Sequence, residues 1–151
     1  MRKVTVLLAT WGGVGFIPLA PGTMGTAAAV PLFLLLSMLP LAIYVALLLF
    51  IALVACWVAG QAEGVFHQRD SRFVVVDEVV GFLVTMTALP ASLSCIIAGF
   101  VLFRLFDVLK PPPIRLVERK VKGGYGVVLD DVVAGIYACV VLHLLSSFLP
   151  S

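Results

Sequence analysis

Charge is scarce in this sequence. Ten Lys and Arg and eight Asp and Glu make only 12% of the 151 residues charged, against about 25% in an ordinary soluble domain. Hydrophobic residues make up 62%, and the mean hydropathy is +1.19. That balance excludes a soluble globular domain and indicates an integral membrane protein. A formal net charge of +2 is too small to suggest a nucleic-acid partner. Cysteine is also sparse. Cys56, Cys95 and Cys139 lie in apolar stretches with no C-x-x-C, so they are expected as small buried hydrophobes. His67 and His143 are isolated, and no zinc site is expected. No G-K-[ST] follows the glycine-rich segment, so nucleotide binding is not indicated. The N-terminal apolar run is short, is broken by Gly12 and Gly13, and has no small-residue cleavage site; it does not read as a signal peptide.

What the chain does have is long apolar runs. Residues 24–60 carry no charge and are too long for one span of about 20 residues. Pro31 and Pro40 interrupt them, and "SMLPLA" is the best break, because a residue before proline is pushed out of the helical region. The pattern predicts an all-α, single-domain membrane bundle of about five membrane-embedded helices: 24–38, 41–60, 75–89, 93–109 and 128–148. Polar loops at 61–74 and 110–126 separate them. All Lys and Arg fall at the N-terminus, in 61–74 or between 104 and 122. The turns "MLPL" and "LPASLS" have none. Five passes put every basic region on one side, which the positive-inside rule makes cytoplasmic.

The acidic residues gather at that same end. Asp77 and Glu78 are expected to open the third helix, Asp107 to close the fourth, and Asp130 and Asp131 to open the fifth. "VVVDEVVGFLV" faintly echoes "VVLDDVVAGIY". A charged side chain at mid-helix costs about 2.5–3.5 kcal/mol on insertion scales. Five carboxylates at one level need a counter-charge. Mg²⁺ would serve, since it takes oxygen ligands and commonly bridges carboxylates to a phosphate. Helix caps or ion pairs are the plainer explanation for any one pair, but less so for all three.

Basic side chains are the second possible counter-charge. In "FRLFDVLKP", Arg104, Asp107 and Lys110 are spaced three apart and share a helix face. This is either a local ion-pair ladder or a site in which Asp107 joins the acids and the two cations hold phosphate oxygens. In "WGGVGFIPLAPGTMGTAAAV" a glycine-rich loop runs into a helix start, where free N–H groups favour an anion. Gly22 and Gly25 permit close backbone approach, and Thr23 and Thr26 add hydroxyls. "KGGYG" at 122–126 reads either as a hinge or as a second backbone approach beside Asp130.

Taken together and in order, "PGTMGT", "DEVVG", "FRLFDVLKPPPIR" and "GGYGVVLDDVVAG" resemble the phosphatidylglycerophosphatase A family of bacterial lipid phosphatases. The similarity runs from about Gly12 to Gly135. It implies an all-helical enzyme of the bacterial inner membrane, with its active site facing the cytoplasm. The implied reaction is Mg²⁺-dependent hydrolysis of the terminal phosphate of phosphatidylglycerophosphate, giving phosphatidylglycerol and phosphate. Asp77, Glu78, Asp107, Asp130 and Asp131 would then be metal-binding and catalytic. Gly22, Thr23, Gly25, Thr26, Arg104 and Lys110 would bind phosphate. His67, Arg69 and Asp70 in "FHQRDSR" are not counted in the site. Neighbours on a helix point about 100° apart, so each acidic pair would divide metal binding from orientation of water; which residue does which stays open, as does an aspartyl-phosphate intermediate. There is no Cys-x5-Arg loop of the cysteine-dependent phosphatases and no D-G-x2-A-R motif of the CDP-alcohol phosphotransferases. An ion-coupled transporter and a non-catalytic scaffold subunit are the rival classes; a transport site would lie near the midplane, not at one helix end.

Overall fold

The computed structural model is all-α among the described residues, which are 2–68 and 71–146, with the backbone alone for 118 and 119. Arg69 and Asp70 therefore lie outside them, as does the end of the last expected helix. Seven α-helices are formed: α1 (Arg2–Ala9), α2 (Pro21–Leu36), α3 (Leu41–Phe66), α4 (Val76–Thr85), α5 (Leu93–Leu109), α6 (Ile114–Lys120) and α7 (Gly124–Ser146), with a 3₁₀ turn at Val14–Phe16. Two of them, α3 and α7, are long and apolar enough to cross a membrane, not clearly five.

The short α4 is the centre of the bundle. Eight of its ten residues are buried, and α7, α2, α3 and α5 pack around it. Val79, Val80, Phe82 and Leu83 are fully enclosed, and Phe33 of α2 meets Phe82 edge-on at 6.2 Å. The outward faces remain apolar. Leu93, Ile97, Val101, Leu105 and Val108 form an exposed stripe on α5, and Leu49, Phe50, Leu53 and Trp57 one on α3.

Several helix ends differ from the sequence reading. The third helix stops at Thr85, not 89. The Leu83 carbonyl accepts bonds from the Tyr44 hydroxyl at 2.6 Å and the Thr87 hydroxyl at 3.1 Å. Ala88 then turns left-handed (φ 59) ahead of Pro90. Expected to end at 60, α3 instead continues through the polar "QAEGVF" to a left-handed cap at His67. Pro31 sits inside α2 without ending it. The last helix begins at Gly124, not 128, so "GYG" at 124–126 is helix start, preceded by left-handed Gly123 (φ 70), and Asp130 and Asp131 lie nearly two turns inside α7.

The early start of α7 has a packing cause. A Cβ on Gly124 would collide with the backbone at Cys56 O and Gly60 N of α3. Farther along, a Cβ on Gly135 would strike Gly81 O of α4. Glycine at these positions lets the helix backbones touch. Gly124→Ala should therefore force α3 and α7 apart and lower stability by about 1–3 kcal/mol, as overpacking does. Gly64, also on α3, has nothing within 4 Å of such a Cβ. Gly64→Ala should be neutral or stabilising by up to about 1 kcal/mol, because alanine favours helix. Melting of the two variants in detergent, beside the parent, checks the contrast.

Candidate active site

Four helices bring the predicted residues to one end of the bundle. The first turn of α4 supplies Asp77 and Glu78, where negative charge suits the helix dipole. The Asp77 carboxylate also accepts the Glu78 N–H at 3.1 Å. The end of α5 supplies Arg104, Asp107 and the capping Lys110. From α7 come Asp130 and Asp131, 5% and 4% exposed.

One carboxylate oxygen from each of Asp77, Glu78 and Asp131 lies within 4.8 Å of the others. Asp107 and Glu78 also face Asp131. Arg104 bridges the α4 and α5 acids: its Nη1 is 2.6 Å from Asp107 Oδ2 and 3.8 Å from Glu78 Oε1. Asp130 points elsewhere. Its Oδ2 is 2.7 Å from Lys110 Nζ. The 100° step between successive helical residues thus sends Asp131 into the acid group and Asp130 to a lysine. Glu78 Oε2 and Asp131 Oδ2 are buried with no hydrogen-bond partner among the described residues, a costly state for carboxylate oxygens.

The α2 start closes one side. Ala20 is left-handed (φ 49) and Pro21 opens the helix, leaving first-turn amides without intrahelical acceptors. Gly22 lies directly against the acids. A Cβ there would collide with Glu78 Oε1 and stand 3.0–3.1 Å from the Arg104 guanidinium nitrogens. Gly25 abuts Val75 of the α4 entry. Thr23 is half-buried in the first turn of α2. Thr26 is fully buried and donates its hydroxyl proton to Gly22 O at 2.9 Å, so it braces the turn from inside the helix.

The fit to Mg²⁺ can be tested on these atoms. Oxygens around one octahedral Mg²⁺ at about 2.1 Å are separated by at most about 4.2 Å. The Asp77, Glu78 and Asp131 oxygens lie within 4.8 Å of one another, so the side chains would have to close in until neighbouring oxygens stand about 3.0 Å apart on one ion, and two of the three residues have a buried oxygen with no hydrogen-bond partner among the described residues. The donor set is all oxygen, as a hard cation prefers.

Two contacts escaped the sequence reading. Gly81 sits under the site, where a Cβ would press on the Phe103 ring and on Asp131 O at 2.9 Å. Tyr137, one face of α7 up from Asp130, bonds Pro112 O at 3.1 Å. The place of Gly81 in "DEVVG" was a signal for the first; a tyrosine within an apolar run gave none for the second.

Comparison with known proteins identifies the family. The family model described as Phosphatidylglycerophosphatase A matches residues 7–146. The phosphatidylglycerophosphatase A of Escherichia coli is 36% identical over 145 residues, covering 95% of this chain and 84% of its own length. That of Haemophilus influenzae is 37% identical, covering 94% and 91%. A Bacteroides thetaiotaomicron protein provisionally named phosphatidylinositol-3-phosphatase is 39% identical, covering 91% and 90%. No solved structure matches the chain. With the family model spanning nearly the whole chain and relatives at this identity, the chain belongs to the phosphatidylglycerophosphatase A family of phosphatases.

Proposed function

We propose that this enzyme hydrolyses the terminal phosphomonoester of phosphatidylglycerophosphate, with Mg²⁺, at the cytoplasmic face of the bacterial inner membrane. The convergence of Asp77, Glu78 and Asp131 from two helices, with Arg104 and the α2 start against them, carries this reading. In that group Asp77, Glu78, Asp107 and Asp131 are four acids beside one guanidinium. Asp77, Glu78 and Asp131 would hold the metal. When bound, it would offset their charge, draw the substrate phosphate and make water a better nucleophile.

The chain's own groups account for the rest. The amides at Gly22 and Thr23 and the Arg104 guanidinium would face the phosphoryl oxygens as charge develops on them. Asp107, anchored by Arg104 and opposite Asp131, would orient the attacking water. Water adds to phosphorus, the bond from phosphorus to the glycerol oxygen breaks, and that oxygen takes up the proton that the attacking water gives up. Inorganic phosphate leaves to the cytoplasm and the lipid stays in the bilayer. Lys110, held on Asp130, lies at the edge of this site and would add a cation for the incoming headgroup.

A lipid substrate requires an interfacial site, and the exposed apolar stripes of α3 and α5 support immersion in a bilayer. At about 1.5 Å per residue, the ten residues of α4 cover about 15 Å, half of a hydrocarbon core of about 30 Å. We therefore read α4 as a buried half-span enclosed by four longer helices. The acids at its first turn lie near the basic face, away from the midplane position that a transport site would take.

Purified protein should release phosphate from phosphatidylglycerophosphate only with Mg²⁺ present. The name of the Bacteroides relative makes phosphatidylinositol 3-phosphate the second lipid to assay. Faster release from it would reassign the substrate, and metal-independent release would remove the cation from the reaction. Asp131→Asn should lower kcat/KM by about 100-fold or more, the size of lost charge stabilisation at a reacting phosphate. Asp130→Asn, acting through Lys110, should cost about ten-fold.

Topology can be checked by labelling single cysteines in intact cells. Ser71 is 2% exposed and would be shielded on either side of the membrane, so Gln68 and Lys120, both exposed, are the better cytoplasmic positions. Exposed Ala91 serves for the opposite turn. With the native cysteines replaced, an impermeant thiol reagent should label position 91 and spare 68 and 120. The reverse pattern would invert the orientation.

A further inference from the structure

The three prolines Pro111–Pro113 follow α5, and Lys110 stands just before them in the left-handed region, with φ 44. Its N–H closes α5 on Phe106 O at 2.8 Å. Residues with a Cβ adopt this conformation rarely, and their surroundings must hold them there. Two contacts do so from outside the turn. The Arg115 guanidinium donates to Leu109 O at 3.2 Å. The Tyr137 hydroxyl donates to Pro112 O at 3.1 Å, with its ring edge-on to Phe106 at 5.7 Å.

Tyr137 and Asp130 are seven residues apart on α7, which puts them on one face two turns from each other. That face meets the turn after α5 at two points. Asp130 receives the Lys110 ammonium at 2.7 Å, and Tyr137 fastens the proline segment. We propose that Tyr137 is a positioning residue for Lys110. By tying the Pro112 carbonyl to α7, it sets the left-handed turn that delivers the ammonium to Asp130 at the edge of the phosphate site. The placement of the ammonium stands on the geometry alone; its effect on turnover rests on the proposed function.

Reductive methylation of the purified protein in detergent, read lysine by lysine by mass spectrometry, tests the placement without reference to activity. Tyr137→Phe keeps the ring on Phe106 and removes only the hydroxyl. It should speed modification of Lys110 about five-fold, the scale of one lost hydrogen bond, and leave Lys3 and Lys122 unchanged. In the same variant kcat/KM for the phospholipid should fall about five-fold through KM, with little change in melting temperature. An unchanged Lys110 rate overturns the proposal, and so does equal acceleration at Lys3 and Lys122, which would mean general loosening. Selective acceleration in an enzyme whose parent is inert toward the phospholipid supports the positioning role and removes the substrate reading instead. If the Phe variant does not fold, Phe106→Leu removes the ring's support and should give the same selective acceleration; its absence overturns the proposal equally.

Discussion

Mutual repulsion among buried carboxylates is the constraint around which the structure is arranged. Asp77, Glu78, Asp107 and Asp131 face one another inside a bundle whose surface is largely apolar. Withdrawing such groups from water is expensive, and placing like charges together adds to the cost. The fold offsets part of it. Glu78 and Asp77 sit at a helix start, Arg104 lies between two of the acids, and the α2 start packs against Glu78 and Arg104. One guanidinium and two helix ends do not balance four acids, which is why a bound divalent cation fits the arrangement.

The same constraint explains the glycines. To bring four helix ends to one point, the backbones must approach more closely than side chains allow. Gly81 and Gly135 let α4 and α7 touch, Gly124 lets α7 touch α3, and Gly22 lets the α2 start reach Glu78 and Arg104. The central helix stops early, at Thr85, where the Leu83 carbonyl is taken by the Tyr44 and Thr87 hydroxyls. A short, enclosed α4 keeps its acidic first turn inside the ring of longer helices and within reach of the phosphate-facing groups. Packing, in this protein, is the means by which charge is placed.

Much of this was legible from residue order. Hydropathy located the cores of α2, α3, α5 and α7, and the acids at 77, 78, 107, 130 and 131 were candidates from the sequence. The short α1 and α6 were not, because seven or eight residues give too little periodicity to set against a loop. Gly124–Gly126 reads locally as loop, and only the contact of Gly124 with α3 explains why it is helix. The partition of Asp130 from Asp131 was foreseeable as a 100° divergence, but its direction depended on where the proline turn puts Lys110. Thr26 looked like a free hydroxyl because the sequence does not reveal that its own helix uses it.

The most direct measurement of the central claim is thermal melting of the parent and Asp131→Asn, each with and without Mg²⁺. If the acids are held together for a cation, Mg²⁺ should stabilise the parent by roughly RT ln(1 + [L]/Kd). Asp131→Asn should melt no lower than the parent without the metal, because one repelling charge is gone, and should lose most of the Mg²⁺ shift. A variant that melts lower in both conditions, and still gains the full Mg²⁺ shift, would contradict the account and make Asp131 a structural residue.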